Sequence, residues 1–386
     1  MSITANELPL CVEDLSAEWL NHALAEQLTN AQPITGFQPT IIGVGEGFMG
    51  QLARVTLDYA DSEQTAGPAS IIAKFAAPTQ AARDIANDQG LYQREVGFYE
   101  DIGEDAGVPI PACYFSTYLP ESNRVVLLLQ DLSPAIASDQ VIGTARQDSE
   151  KVIDMIAQLH ARWWNSERLA GYGWAQPIVS SIPMEQGLAM IKEAIHAAET
   201  QGTFDAYPEI KRLMKYLPPL FRMDPPPPFP YTLCHGDLRS DNVFCPTEAG
   251  GNYALIDWQL SGMAQPANDL ARWFTQSITI EDRRETEMDL LKRYHDKITE
   301  YGVTGYSFKQ LLNDYKLNLV VLLLMFSNTM EDIDKSDERS KAVLHSMYER
   351  LDVALADWKI INLLKVLPYM IPFLKLSSWF KSTFNR

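Results

Sequence analysis

Three polar side chains in the second half of the sequence have types and a spacing that suit phosphoryl transfer. The segment from Leu233 to Phe244 reads Leu-Cys-His-Gly-Asp-Leu-Arg-Ser-Asp-Asn-Val-Phe, so Asp237 and Asn242 lie five positions apart, and Asp257 follows at the end of an apolar run. An aspartate beside an acceptor hydroxyl can orient it and take its proton. An asparagine oxygen and a second carboxylate can hold the magnesium ion that neutralises the phosphates. We therefore take Asp237 as the candidate catalytic residue, and Asn242 and Asp257 as the candidate metal ligands.

Two motifs around these residues narrow the interpretation. An H-x-D followed by four residues and Asn is the order of a kinase catalytic loop. The pair His235-Gly-Asp237 and Ile256-Asp-Trp-Gln259 resembles the aminoglycoside phosphotransferase and choline kinase superfamily, and within it the ecdysteroid kinase-like branch, whose second motif also ends in glutamine. The alternative is an ordinary turn and an ordinary strand end. The presence of both motifs in the right order argues against that alternative.

The resemblance implies an α+β, protein-kinase-like fold with two lobes. An antiparallel sheet would dominate a nucleotide-binding lobe at residues 1–130, and helices would dominate a larger catalytic and acceptor-binding lobe at 131–386. The connection between the lobes would be the segment Gln130, Asp131 and Leu132, whose backbone groups would meet the adenine edge. Beyond Gln259 the sequence lacks the Asp-Phe-Gly and Ala-Pro-Glu motifs of protein kinases, which favours a small-molecule acceptor over a peptide.

A glycine-rich segment near the N-terminus could cover the phosphates of the nucleotide. Gly45, Gly47 and Gly50 fit the pattern G-x-G-x-x-G between two runs with strand character. Glycine permits both positive φ angles and a close approach of the backbone to a ligand. A glycine-rich turn without a ligand is the alternative. No helix pattern follows the segment, which argues against the strand, loop and helix of a Rossmann unit.

A lysine inside an apolar strand is the candidate that binds the α- and β-phosphates. Lys74 lies within the run Ile71-Ile-Ala-Lys-Phe75, which resembles the V-A-I-K strand of kinases. Glu95 follows on a predicted helix at a distance that fits the ion pair between the strand lysine and a helix glutamate. An edge-strand lysine that points to water is the alternative for Lys74, and Glu100 and Asp101 compete with Glu95.

Residues that support the catalytic loop are predicted in the second lobe. In the superfamily, the acid that matches Asp269 holds the catalytic segment, although an aspartate here can also be a helix N-cap. His160 lies on the apolar face of a predicted helix and is interpreted as a hydrogen-bonded core histidine. In related enzymes the later helices build the acceptor pocket, so we expect acceptor contacts at residues 320–334. Arg239 is either close to the transferred phosphate or exposed to solvent.

The composition limits the classes of partner. Among 386 residues, 46% are hydrophobic and 21% are charged, which is typical of a globular protein and excludes wholesale disorder. The net charge of −18 disfavours nucleic acid and is easier to reconcile with a cationic or neutral acceptor. The four cysteines include no CxxC pair, and no signal peptide is visible, which favours reduced thiols and a cytoplasmic location. The apolar run at 319–326 is shorter than the roughly 20 residues that cross a bilayer.

Together these features predict an ATP-dependent O-phosphotransferase that uses ATP and Mg²⁺ and acts on a small hydroxylated compound. The apolar helix near residues 322–326 favours a fairly hydrophobic alcohol. A catalytically silent nucleotide-binding or scaffold protein with the same fold is the alternative. The basic, amphipathic tail at 359–386 could rest on an anionic membrane surface or pack on the acidic body of the protein, and we favour packing.

Overall fold

The N-terminal part of the chain forms a five-stranded antiparallel sheet with the strand order β1-β2-β3-β5-β4. Its strands are β1 Ile34–Ile42, β2 Gly50–Tyr59, β3 Ser70–Ala76, β4 Cys113–Leu119 and β5 Arg124–Gln130. This architecture comes from a computed structural model. It describes residues 8–28, 31–43, 50–61, 67–177, 204–217, 230–326 and 338–365, and a few positions between 189 and 202.

Helices cover both faces of this sheet. They are α1 Ala17–Ala23, α2 Gln80–Asp88 and α3 Leu91–Asp101. Alternate side chains of a strand point to opposite faces, and on β5 Val126 and Leu128 belong to the core under α1. Val125 and Leu127 belong to the larger core that includes Phe98 of α3 and the second lobe. The period of two therefore sorts these four residues of β5 into two different cores.

The sequence of residues 14–28, with Ser16 as N-cap and apolar residues at helical spacing, predicts a longer first helix than the structure shows. Ser16 caps α1, and its side chain accepts a hydrogen bond of 3.1 Å from the backbone N–H of Trp19, as predicted. The helix ends at Ala23, and turns continue the chain to Leu28. Leu20 and Leu24 are buried under the sheet, which is what the amphipathic spacing predicted.

The second lobe is mainly helical. Its helices are α4 Arg146–Arg162, α5 Glu167–Gly171, α6 Pro208–Met214, α7 Ala267–Gln276, α8 Ile280–Glu300, α9 Phe308–Phe326 and α10 Glu338–Asp357. Helix α8 packs on α4, α9 packs on α7, and α10 packs on both α6 and α7. The predicted α+β class, with an antiparallel sheet first and helices after it, is confirmed.

Short strands position the candidate site in this lobe. They are β6 Ile136–Ala137, β7 Thr232–Cys234, β8 Val243–Cys245, β9 Ala254–Leu255 and β10 Gly262–Ala264. They form two small sheets, β6-β8-β9 and β7-β10. Sequence patterns pointed to strands near β7 and β9, which adjoin the two motifs, and not to β6, β8 or β10. None of the five is long enough to show a period of two.

The C-terminal segment is described only to residue 365, so most of the basic tail at 359–386 lies outside the described residues. Within the described part, Ile360, Ile361 and Leu364 are buried in the larger core. The beginning of the tail therefore packs on the second lobe. In the part of the chain that the structure describes, no helix is both long and apolar enough to cross a membrane.

Candidate active site

Lys74 faces the cleft between the lobes. Ile71, Ala73 and Phe75 of β3 are buried in the core under α1, so the strand period turns Lys74 toward α3. Its Nζ atom lies 2.7 Å from the carboxylate of Glu95 and 2.9 Å from Oδ1 of Asp257. Burial lowers the pKa of Lys74, but the charges of Asp257 and Glu95 outweigh burial and raise it. The lysine is therefore a permanent cation at neutral pH.

Asp257 lies where the chain turns sharply after β9. Its φ angle is +65°, and the 3-10 turn Trp258–Leu260 follows immediately. The Trp258 indole is fully buried and stacks on the Phe98 ring of α3, with ring centroids 3.8 Å apart and an angle of 6° between the planes. This stack fixes the turn against the helix that carries Glu95. Both carboxylates around Lys74 thus have a rigid support.

The loop before Asp237 is shaped by Gly236 and His235. Gly236 has a φ angle of +81°, and a Cβ added there would overlap the carbonyl oxygen of Leu260. The His235 Nε2–H donates to the carbonyl of Ile256 at 2.8 Å, and its Nδ1 accepts from the Asp237 N–H at 3.3 Å. His235 therefore ties the loop of Asp237 to the residue that precedes Asp257.

Asp269 of α7 also fixes the loop that carries Asp237. It is fully buried, and its carboxylate accepts hydrogen bonds from the backbone N–H groups of His235 at 2.7 Å and Gly236 at 2.9 Å. His160 Nε2 lies 3.2 Å from Asp269, and His160 Nδ1 lies 2.7 Å from the hydroxyl of Tyr294. Asp269 is the third residue of α7 and does not cap it. Burial raises the pKa of Asp269, but hydrogen bonds from His160 and from the backbone N–H of Gly236 outweigh burial, so the net shift is downward.

Asp237 is surrounded by donors. Its Oδ2 accepts from Arg239 Nε at 3.1 Å and from Asn242 Nδ2 at 3.1 Å. Its Oδ1 accepts from Arg272 Nη1 at 3.0 Å. Burial raises the pKa of Asp237, but the two guanidinium groups outweigh burial and hold the pKa below its ordinary value. Asp237 is therefore an ionised carboxylate between two cations.

Asn242 and Asp257 are brought together by the pairing of β8 with β9. Val243 pairs with Leu255, and the carbonyl of Asn242 accepts from the Ile256 N–H at 3.0 Å. An amide oxygen and a carboxylate are the hard oxygen donors that Mg²⁺ prefers. The residues present therefore fit the predicted magnesium site.

One other group has the composition of a metal site. Among the described residues, His160, Cys234 and Asp269 are the cluster of potential ligands that lie within 4.8 Å of one another. Both ring nitrogens of His160 and both oxygens of Asp269 already have hydrogen-bond partners. We therefore interpret this cluster as structural support of the loop.

Comparison with known proteins identifies the family. The model of the Ecdysteroid kinase-like family matches residues 44–302, which is more than half of the chain. The chain belongs to this family. No curated protein sequence is detectably similar to it.

One solved structure shows the fold of this ecdysteroid kinase-like protein, and two others are less similar to it. A protein of Ralstonia eutropha JMP134 assigned as an aminoglycoside phosphotransferase is 16% identical over 89% of this chain and 98% of its own, with a TM-score of 0.52. An ethanolamine kinase of Plasmodium vivax is 14% identical over 91% and 98%, with a TM-score of 0.46. A choline kinase of Streptococcus pneumoniae is 15% identical over 86% and 98%, with a TM-score of 0.47. The predicted two-lobed, kinase-like fold is confirmed.

The glycine-rich segment of this ecdysteroid kinase-like chain is described only in part. Gly45 and Gly47 lie outside the described residues, whereas Gly50 begins β2. A Cβ at Gly50 would lie 2.9 Å from the carbonyl oxygen of Phe75 and 3.8 Å from Cε of Lys74. β1 and β2, which flank the segment, are paired antiparallel from Ile42 and Leu52 onward. A role of the three glycines in nucleotide binding stays a prediction.

The segment predicted to meet adenine follows the end of β5. The backbone N–H of Gln130 donates to Ala112 at 2.8 Å, and the carbonyl of Leu132 accepts from Ala135. The Asp131 carboxylate accepts from Arg54 Nε at 2.7 Å and Ser70 Oγ at 2.7 Å, so it ties the segment to β2 and β3. Nucleotide binding by Gln130, Asp131 and Leu132 stays a prediction. Contact through the Gln130 amide would require that amide to exchange its partner.

Two residues at the site have no counterpart among the sequence candidates. Arg272 contacts Asp237 from the middle of α7, a helix whose ten residues are all buried. Gln140 accepts from Arg239 Nη1 at 3.0 Å, and its backbone N–H donates to Asp241 at 3.0 Å. The available signal for Arg272 was a charged residue within the apolar run Leu270–Phe274, because a buried arginine needs a partner.

Proposed function

We propose that this protein is an ATP-dependent O-phosphotransferase that phosphorylates a hydroxyl group of a small compound. The observation that carries the proposal is the ion pair between Lys74 and Asp257, which are 183 positions apart in the sequence. Through His235 and the β8-β9 pair, the turn with Asp257 is joined to the loop with Asp237 and Asn242. Four side chains of the predicted types therefore lie around one cleft, namely those of Lys74, Asp237, Asn242 and Asp257.

The nucleotide side of the cleft would be formed by Lys74, Glu95 and Asp257. Lys74 would bind the α- and β-phosphates, and Glu95 would hold its ammonium in position. Because Glu95 is only 2% exposed, it keeps this position without competition from water. Asp257 contacts Lys74 directly, so a triphosphate bound by Lys74 would lie next to a candidate metal ligand.

Asn242 and Asp257 would hold Mg²⁺ through their side-chain oxygens. The ion would supply positive charge to the phosphate oxygens as the phosphoryl group moves. Gln259 Nε2 donates to Oδ2 of Asp257 at 3.3 Å, which orients the carboxylate and gives the last residue of the second motif a physical role.

Asp237 would orient the acceptor hydroxyl. In the reaction the hydroxyl oxygen forms a bond to the γ-phosphorus, the bond from phosphorus to the bridging oxygen of ADP breaks, and the hydroxyl proton passes to the carboxylate of Asp237. Since the pKa of Asp237 is below its ordinary value, it is a weak base. A weak base at this position fits a loose transition state, in which the hydroxyl loses its proton late and the positioning of the reactants contributes most of the rate enhancement.

The acceptor is proposed to be small and fairly hydrophobic. Much of the apolar run that suggested hydrophobicity is used in the core, because Leu319, Val320, Leu322 and Leu323 are buried there. The remaining observation in favour of a hydrophobic acceptor is the position of Met325 on α9. Its sulfur lies 3.6 Å from Nη2 of Arg272, the residue that contacts Asp237. An apolar group of the acceptor could therefore contact Met325 while its hydroxyl contacts Asp237.

A variant of Asp237 tests the proposal. We expect Asp237→Ala to bind a non-hydrolysable ATP analogue with Mg²⁺ as the wild type does, and to lose phosphate transfer to any member of a panel of alcohols. The measurements are calorimetric titration and ADP release, and Asp88→Ala on the exposed surface of α2 is the control. Transfer at the wild-type rate by Asp237→Ala would remove Asp237 from the mechanism. A wild type that binds nucleotide and transfers phosphate to no acceptor would favour the catalytically silent alternative.

A further inference from the structure

Arg94 links the helix that carries Glu95 to the second lobe. It precedes Glu95 on α3, and its Nη1 donates to three backbone carbonyls, those of Trp174 at 2.9 Å, Gln176 at 3.1 Å and Ser261 at 3.1 Å. Ser261 closes the turn that follows β9, whereas Trp174 and Gln176 belong to a segment that follows α5. One nitrogen atom thus joins α3 to two separate segments of the second lobe.

Gly262 leaves the space that this guanidinium group needs. A Cβ atom added at Gly262 would lie 2.8 Å from Nη1 of Arg94 and 3.2 Å from the carbonyl oxygen of Ala175. The φ angle of Gly262 lies outside the left-handed region, and the residue pairs with Cys234 at the start of β10. Its backbone conformation therefore does not require glycine. The missing side chain instead permits the close approach of Arg94.

The charge of Arg94 is compensated by carbonyl dipoles. In the part of the chain that the structure describes, no carboxylate lies within ion-pair distance of Arg94, and its Nη1 is surrounded by the three carbonyl oxygens. Burial lowers the pKa of Arg94, because a cation removed from water is costly. The carbonyls offset this cost only while the turn and the segment after α5 keep their positions against α3. The contact therefore favours one arrangement of these three parts.

Two contacts join α3 to the turn after β9. Arg94 and Phe98 are four residues apart and therefore lie on one face of the helix. Arg94 donates to the carbonyl of Ser261, and the ring of Phe98 stacks on Trp258, which is three residues before Ser261. A single stack would leave the helix free to rotate about the contact. The second contact fixes the rotation of α3 as well as its distance from the turn.

We propose that Arg94 is a positioning residue of the proposed nucleotide site, and that it acts by fixing the carboxylate of Glu95 relative to that of Asp257. Glu95 follows Arg94 on α3, and Asp257 begins the turn that Ser261 closes. Both carboxylates contact Nζ of Lys74, so their spacing determines where the ammonium group lies. A binding group must be held in its productive position by such supporting contacts. This inference rests on the proposed function, because it assumes that Lys74 binds the phosphates of ATP.

Titration with one ligand that carries phosphates and one that lacks them tests the inference. The ligands are a non-hydrolysable ATP analogue with Mg²⁺, and adenosine. In Arg94→Ala we expect the affinity for the analogue to fall about tenfold, since one hydrogen bond to a charged group has about this effect. The affinity for adenosine should stay unchanged, because adenosine has no phosphate that could contact Lys74. Arg83→Ala is the matched control and should keep both affinities, because Nη1 of Arg83 also donates to two carbonyls, those of Ala77 and Pro78, but within the first lobe.

Gly262→Ala tests the same contact from the opposite side. The added methyl group should displace the guanidinium group of Arg94, so the affinity for the analogue should again fall while that for adenosine stays unchanged. In the double variant the loss should equal that of Arg94→Ala alone, because the methyl group then has no guanidinium group to displace. If Arg94→Ala does not fold, Arg94→Lys takes its place. Arg94→Lys keeps the charge and loses the planar fork, so a smaller loss is expected for the analogue alone.

The outcomes separate this inference from the proposed function. An Arg94→Ala variant that binds the ATP analogue as the wild type does would overturn the inference. An equal loss of affinity for both ligands would also overturn it, because a merely structural role weakens the whole site. Losses that add in the double variant would show that Arg94 and Gly262 act through different contacts, with the same consequence. A wild type that binds the analogue and transfers phosphate to no acceptor would contradict the proposed function and leave the positioning by Arg94 standing.

Discussion

The two sides of the cleft have opposite charge arrangements. On the side proposed to bind the nucleotide, here the nucleotide side, the cation Lys74 lies between the carboxylates of Glu95 and Asp257. On the side proposed to bind the acceptor, here the acceptor side, the carboxylate Asp237 lies between the cations Arg239 and Arg272. The first arrangement raises the pKa of the lysine, and the second lowers the pKa of the aspartate. Both central groups are thus kept in their charged form.

The supports of the two sides also differ. The nucleotide side rests on apolar packing, since the Trp258 ring stacks on Phe98 of the helix that carries Glu95. The acceptor side rests on buried polar groups, with Asp269 under the loop and Gln140 beside Arg239. Apolar packing is insensitive to pH, whereas buried polar contacts depend on charge state and on every partner. We therefore expect the two sides to respond differently to substitution and to acid.

The largest effect is expected on the nucleotide side, for Lys74→Met. This change removes the cation and leaves the buried carboxylate of Glu95 next to the partly exposed carboxylate of Asp257. The value of kcat/KM for ATP should therefore fall about a thousandfold, as for the loss of a charge-stabilising group in other active sites. ADP release measures the effect. Lys341→Met is the matched control, because Lys341 forms an exposed ion pair with Glu338 on α10. A loss of less than tenfold would contradict the assignment of Lys74.

An intermediate effect is expected for Asp269→Asn, which tests the polar support of the acceptor side. The substitution should lower the free energy of unfolding at pH 7 by roughly 1–3 kcal/mol, because hydrogen bonds to an ionised group are lost. The folded-state pKa of Asp269 is lowered. Its stabilisation is therefore complete above the unfolded pKa of about 3.9 and is lost as the pH falls through the folded value.

Urea unfolding of both proteins from pH 7 to pH 3 measures this contribution. The difference in unfolding free energy between wild type and Asp269→Asn should stay constant down to about pH 4 and shrink below it. A difference that shrinks already between pH 7 and pH 5 would show that Asp269 is not held ionised by its partners.

The same contrast explains how much could be predicted from the sequence. Lys74 was predicted because a strand period and a contiguous motif specify it, and Asp257 because it closes an apolar run beside Trp258. The positions of Lys74 and Asp257 therefore needed little beyond local patterns, whereas those patterns left Glu100 and Asp101 as competitors of Glu95. The lobe order followed from the family resemblance.

The acceptor side could not be predicted in this way. Arg272 reaches Asp237 only because α7 returns beneath the catalytic loop, and no local pattern specifies that return. The net charge favoured a cationic or neutral acceptor, yet a sum over the chain carries no information about one carboxylate and its two guanidinium neighbours. The apolar run in α9 suggested a binding surface, but burial in the core explains most of it.

The smallest effect is expected for Gln140→Ala, which removes the hydrogen bond that Arg239 donates to the side chain of Gln140. Gln140 is 1% exposed, and its side chain accepts from Arg239, while its carbonyl accepts from Arg350 of α10 at 2.8 Å. Loss of one hydrogen bond to a charged group should lower kcat about tenfold through Arg239, with the affinity for the ATP analogue unchanged. ADP release and calorimetry measure the two quantities, with the exposed Gln158→Ala as control. A weaker affinity for nucleotide with kcat intact would show that the two sides are not supported separately.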